Sequence, residues 1–314
     1  MRKTIITTVA LACALVWTGC QRIEEELIQE KPEVPVEVVE KADSVWTITL
    51  QAVKADTPQT KGLAIGDGDE ATTTELKSIW KDGEEVKVYL GTECIGTLTA
   101  TPDGTDAHKA TLTGTVTTTS IEACTTRLDL LTPRESWDYT GQTGVLLESA
   151  ESIEKKYHYT LASSVLVTAV EGSTISTGNA TFANQQSIYR LSFRYKKADE
   201  SKTPITTKSV TISGASGQLV QSQEIGGATT TGDISVTLGT ATTEPFFVAL
   251  RNGDESNEED LTFTVVDNTG VTYRGSKTIP AEYKPNGTFV SVKNASLDQR
   301  LDLSLSATEV STVL

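Results

Sequence analysis

From Val45 onward the chain alternates. Trp46, Ile48, Leu50 and Ala52 are apolar, while Thr47, Thr49 and Gln51 between them are polar. A period of two predicts a half-buried strand over Val45–Val53. The same pattern returns at short intervals. Val86, Val88 and Leu90 line one face of Glu85–Leu90. Cys94, Leu98 and Ala100 alternate around Gly96 in Glu93–Ala100, and Ala110, Leu112 and Val116 in Ala110–Thr117. Glu122–Leu131, Tyr139–Leu147 and Tyr157–Val170 add further strand-like runs. Glu75–Trp80 reads as a short turn or helix and Lys81–Glu84 as a turn. Many short strands parted by Gly, Thr and Asp predict a β-sandwich.

Gly172–Asn184 is rich in Gly, Ser, Thr and Asn and marks a boundary. Beyond it, Ser187–Tyr195 is sharply patterned. Ile188, Arg190, Ser192 and Arg194 fall on one face, and Tyr189, Leu191, Phe193 and Tyr195 on the other. Strands over Thr207–Ser213, Gly217–Val220, Ile234–Leu238 and Pro245–Leu250 follow. Leu261–Val266 and Val271–Ile279 form an expected hairpin turning at Asp267-Asn268-Thr269-Gly270, and Gly287–Lys293 is a further strand. The fold class is all-β: two antiparallel β-sandwich domains in tandem, 45–175 and 176–314. Paired sheets of this kind enclose a core about 10 Å thick. The tail does not fade into polar residues. Leu301, Leu303, Leu305 and Ala307 alternate with Asp302, Ser304, Ser306 and Thr308, and Val310 and Leu314 follow. The segment 297–314 can complete its own sheet, or add as a strand to an open groove elsewhere.

The start of the chain changes this picture. Arg2 and Lys3 precede an apolar run from Ile5 to Trp17, which ends Thr18-Gly19-Cys20. A basic start, a short apolar run and a small-residue end describe an export signal over 1–20. The run is too short to span a bilayer as a helix. A cysteine after Thr-Gly resembles a bacterial lipobox, with cleavage before Cys20 and lipid on its thiol. Trp17 stands where an aliphatic residue is usual. Acyl chains, at about 0.8 kcal/mol per buried methylene, would hold the protein on a membrane. Residues 21–44 carry seven glutamates together with Pro32 and Pro35, which oppose compact folding and read as an acidic tether.

Composition narrows the chemistry. The formal charge is −15 over 314 residues, so the surface repels nucleic acid and anionic lipid. Cys94 and Cys124 are the cysteines of the folded part. They can form a disulfide in an exported protein or stand as two buried free thiols. The acidic turn Gly66–Glu70 lacks calcium-loop spacing. The two histidines, His108 and His158, have no metal-ligand spacing around them, and no cofactor or metal is expected. No nucleophile elbow or phosphate-binding glycine loop is present, so the chain does not read as an enzyme. Trp137-Asp138-Tyr139 and Tyr157-His158-Tyr159 are candidate aromatic contacts for a glycan or host receptor.

Four parts combine: a lipoprotein signal, an early strand, a loop with Lys54 and Lys61 exposed to trypsin-like proteases, and a strand-like tail. Together they resemble the fimbrillin family of the Bacteroidetes, two-domain pilins of lipoprotein-derived fimbriae. Gln59–Glu70 resembles the cleavage region of that family, Trp80–Tyr89 its Trp…Gly-(Asp/Glu)…Val strand entry, and Ile188–Tyr195 the strand that opens its C-terminal domain. The resemblance implies a transthyretin-like, Greek-key strand order and lipid-borne export to the outer membrane. It also implies proteolytic loss of the first strand, Trp46, Ile48 and Leu50 included, after Lys61 with Lys54 as the lesser choice. A partner's C-terminal strand then fills the groove, here Leu301, Leu303, Leu305, Ala307 and Val310. The implied partners are other fimbrial subunits, outer-membrane lipid through Cys20, a trypsin-like protease and a host or glycan receptor. Processing in the best-known members of the family follows an arginine, whereas this loop offers Lys61, with Lys54 as the lesser choice. An uncut chain would be a fimbrial tip or anchor, or a non-polymerising surface lipoprotein with an adhesive role.

Overall fold

The computed structural model describes residues 44–54, 63–65, 76–215, 217, 219–251, 259–279, 289–297 and 299–301. Its first half comprises β1 (Ser44–Lys54), β2 (Leu63–Ile65), β3 (Leu76–Ser78), β4 (Glu85–Leu90), β5 (Glu93–Pro102), β6 (Lys109–Thr118), β7 (Arg127–Thr132), β8 (Ser136–Asp138), helix α1 (Ile153–Lys156), β9 (Thr160–Glu171), β10 (Thr174–Thr177) and β11 (Ala180–Asn184). The second comprises β12 (Ser187–Lys196), β13 (Lys202–Pro204), β14 (Thr207–Gly214), β15 (Val220–Glu224), β16 (Thr229–Thr231), β17 (Ile234–Thr242), β18 (Phe246–Leu250), β19 (Glu259–Asp267), β20 (Thr272–Ile279), β21 (Phe289–Leu297) and β22 (Gln299–Leu301). The all-β expectation holds for the described residues, apart from the single turn of α1.

The expected sandwich of the first half is instead one sheet that closes on itself. Its strands run β1–β11–β9–β7–β4–β5–β6, and β6 pairs back onto β1. β10 lies beside β11, pairing with both β1 and β9. Closure demands strong coiling, and two glycines facing inward supply it. A Cβ on Gly96 would lie 2.2 Å from the Thr115 carbonyl oxygen, and one on Gly114 would lie 2.3 Å from that of Thr97. No side chain fits where strands approach so closely. The closed sheet fills with Ile48, Leu50, Val86, Leu98, Leu112, Leu128 and Phe182. β11, which lies beyond the expected boundary at 175, pairs into this sheet through β1 and β9.

A second core gathers Tyr189, Leu191, Phe193, Ile212, Val236, Phe246 and Phe263. It lies between a sheet of β12, β13, β18 and β21 and a sheet of β17, β14, β19, β20 and β22. Phe193 of the first sheet meets Phe263 of the second with ring centroids 5.4 Å apart, and Tyr195 meets Tyr273 at the same separation. The loop between β8 and α1, the linker by which the first half enters the second core, is anchored by a buried amide. Gln142 is 1% exposed. Its amide donates to the carbonyls of Tyr139 and Ala249 and accepts from Ala249 N–H at 2.7 Å, so β18 is tied to the linker. The hairpin between β19 and β20 falls where the sequence places it. Asp267 Oδ1 accepts from the N–H groups of Thr269 and Val271, and Gly270 takes the positive φ that the turn requires.

Not every pairing is antiparallel. β1 runs parallel to β10 and β11, and β21 runs parallel to β12.

Candidate functional site

The first strand is the best-defined candidate. Its alternation sends Ile48, Leu50, Ala52 and Lys54 into the closed sheet, each 3% exposed or less, while Thr47, Thr49 and Gln51 face solvent. Trp46 packs partly buried against the same core. One edge of β1 pairs antiparallel with β6, from Ser44 opposite Thr118 to Val53 opposite Lys109. The other edge meets β10 at Thr47 and Ile48, and β11 at Ala52, Val53 and Lys54. Each of these partners comes from residues 109–184, so none is joined to β1 by a tight turn.

Lys54 was missed as a site residue. Sequence composition places it in an exposed loop, as an alternative cleavage point. The structure corrects this: β1 continues through Lys54, and the side chain is fully buried. A protease cannot reach it in the folded chain. The signal was present, because the inner row Ile48–Leu50–Ala52 continues at the same spacing to residue 54. Lys54 Nζ donates to the Ile79 carbonyl at 2.5 Å and to Glu84 Oε2 at 3.1 Å. It also sits 3.8 Å from the centre of the Trp80 ring, over its negative face. Thr132 Oγ1 donates to the other oxygen of Glu84, and Lys81 N–H to the first. Burial lowers the Lys54 pKa to about 8, with the Glu84 carboxylate opposing the shift. Trp80 is fixed in turn, its backbone N–H donating to the Ala107 carbonyl at 2.7 Å and its ring edge-on to Phe182.

A cavity of about 340 Å³ opens beside this cluster. Lys81, Glu84, Pro133, Glu154, Lys155 and His158 are among its walls. Lys81 and Glu154 form an ion pair across it, linking the turn before β4 to helix α1.

The aromatic candidates do not form a binding surface. Trp137, Tyr139, Tyr157, His158 and Tyr159 are each 3% exposed or less. Tyr139 and Tyr159 pack edge to face, and the Arg251 guanidinium covers Trp137 at 4.8 Å. Burial pushes the Tyr139 hydroxyl well above its ordinary pKa. These side chains belong to the second core and the linker, not to a platform for sugar rings. The cysteines are also corrected: Cys94 and Cys124 are unbridged and exposed rather than buried. Among the described residues, no group of three His, Cys, Asp or Glu side chains could hold a metal.

Cys20, Lys61, Leu303, Leu305, Ala307 and Val310 lie outside the described residues. The backbone of Leu301 ends β22, opposite Thr272 of β20, and Leu297 is buried at the end of β21. The first residues of the tail segment therefore join their own chain.

No protein-family model and no curated protein matches the sequence. Among solved structures, the chain is similar to a fimbrial protein from Bacteroides ovatus, with 11% identity and a TM-score of 0.33, over 82% of this chain. The chain spans 50% of that protein's length. It is similar to a fimbrial assembly protein from Parabacteroides distasonis, with 11% identity and a TM-score of 0.37, over 81% of this chain and 93% of that one. It is also similar to a shaft pilin from Lactobacillus rhamnosus, with 12% identity and a TM-score of 0.29, over 82% of this chain and all of that one.

Proposed function

We propose that this chain is a structural subunit of cell-surface fimbriae that assembles by replacement of its first strand. It reaches the outer membrane on lipid carried by Cys20. A trypsin-like protease cuts after Lys61 and frees Trp46–Val53. The C-terminal strand of another subunit then occupies the channel. In this reading the closed sheet of the first half offers the channel, and the tail, residues 297–314, is the donor.

The observation that supports this reading is the way β1 is held. Its pairing partners are distant in sequence, and Lys61 follows it within a few residues. A cut there leaves β1 held by non-covalent contacts: backbone pairing, the apolar row, and the bonds of Lys54 to Glu84, Ile79 and the Trp80 ring. Burial supplies the drive without a nucleotide. Two to three hundred Å² of apolar surface corresponds to about 5–8 kcal/mol before ordering costs. Head-to-tail insertion does not close on itself, so filaments follow. Deleting residues 302–314 in the native cell, where the other fimbrial subunits are made, tests the proposal. The expected result is a folded, processed monomer that forms no polymer; polymers at normal yield from the truncated chain would contradict it.

A further inference from the structure

The inner row of β1 has a counterpart in the tail. Ile48, Leu50 and Ala52 are matched at the same spacing by Leu303, Leu305 and Ala307, and the outward Thr49 and Gln51 by Ser304 and Ser306. The sizes, two large then one small, agree when the tail runs in the direction of β1. At the next inner position the charge reverses, with Lys54 in β1 and Glu309 in the tail.

The walls around that position suit a cation. Glu84 Oε2 stands 3.1 Å from Nζ, the Ile79 carbonyl oxygen 2.5 Å, and the Trp80 ring face 3.8 Å. A carboxylate placed there meets a second carboxylate, a carbonyl oxygen and the negative face of an indole. Each of the three repels it. Lys54 is buried there and the Glu84 side chain is 18% exposed, so water screens only part of the repulsion.

We infer that this pocket selects the strand that replaces β1: the incoming segment carries Lys or Arg at the Lys54 register, and the tail of a second copy, with Glu309 there, is rejected. The inference rests on the strand-replacement reading above. It narrows the partner to a different subunit. Its inserted strand has two large apolar residues, one small residue and a cation at alternate positions.

The test uses the full chain with a site-specific protease sequence placed within residues 55–62. After cutting, β1 is displaced in mild denaturant, and four labelled peptides are offered in turn. They are Ser44–Lys54, the same peptide with Lys54→Glu, the tail Leu301–Leu314, and the tail with Glu309→Lys. Uptake is read by native mass spectrometry and fluorescence anisotropy. The lysine-bearing peptide of each pair should bind about tenfold more tightly, or better. A host carrying Glu84→Gln should narrow the gap; if that host does not fold, the comparison in the unsubstituted host decides alone. Equal binding of the tail with and without Glu309→Lys overturns the inference and leaves strand replacement standing. Entry of no peptide, that of β1 included, overturns strand replacement itself and the inference with it.

Discussion

β1 and β21 both run parallel to a neighbour, yet they are held differently. β21 lies along β12 from Phe289 opposite Ile188 to Leu297 opposite Tyr195, and its last residue enters the second core. β1 lies inside a closed sheet with partners on both edges, and its inner row ends in a buried charge rather than an apolar side chain. Neither strand has a tight turn to its partners, so turn geometry cannot fix its register. A slip of one residue would invert every side chain, and a slip of two would preserve the alternation. In β1 the ion pair removes that second freedom, because Lys54 meets Glu84 in one register only. Under the strand-replacement proposal, the apolar row would supply affinity and the charge at its end identity.

The largest effect should come from reversing that charge. In Lys54→Glu, two carboxylates would face each other in the closed sheet, and about 3–5 kcal/mol of stability should be lost. Urea unfolding would show it as a fall in midpoint. An unchanged midpoint would mean that the pair contributes nothing to holding β1. Next comes closure of the sheet. Gly114→Ala puts a methyl group 2.3 Å from the Thr97 carbonyl, so the strands must separate, at a cost of about 1–3 kcal/mol. The same substitution at Gly104 meets nothing within 4 Å and should change the midpoint by less than about 0.5 kcal/mol.

A further effect is a pH dependence. The folded pKa of Lys54, about 8, lies below its unfolded value of 10.5. Below pH 8 both states are protonated and the burial cost is complete. Between pH 8 and 10.5 the unfolded chain holds more protons, so stability should rise with pH. The wild type should therefore gain on a Lys54→Met variant, by about 1–2 kcal/mol between pH 8 and 9.5. A constant difference across that window would place Lys54 in a wetter setting than the structure does.

Much of this fold is legible in the sequence because alternation reports which faces are buried. Ile48 and Leu50 point inward as their spacing requires, and the β19–β20 hairpin turns at Asp267–Gly270. Alternation does not report which strands are neighbours. Closure of the first sheet joins residues 56 to 74 positions apart and the three parallel pairings join residues more than 100 apart, and no local pattern encodes them. β12 shows a second limit. Its sequence offers an apolar face and a polar one, yet Arg190 and Ser192 are 1% and 5% exposed, so both faces of the strand are covered. Lys54 fails for a third reason. A lysine beside Ala55-Asp56-Thr57-Pro58 has the composition of a loop, and its burial becomes intelligible only once Glu84, Trp80 and Ile79 are seen to surround it.

The most direct measurement is N-terminal sequencing with intact mass of the protein recovered from the native cell surface. The expected result is high-molecular-weight material that begins at Gly62 and lacks Ser44–Lys54. Monomers that keep lipid on Cys20 and retain β1 would contradict strand replacement and point instead to an anchor or a stand-alone surface lipoprotein.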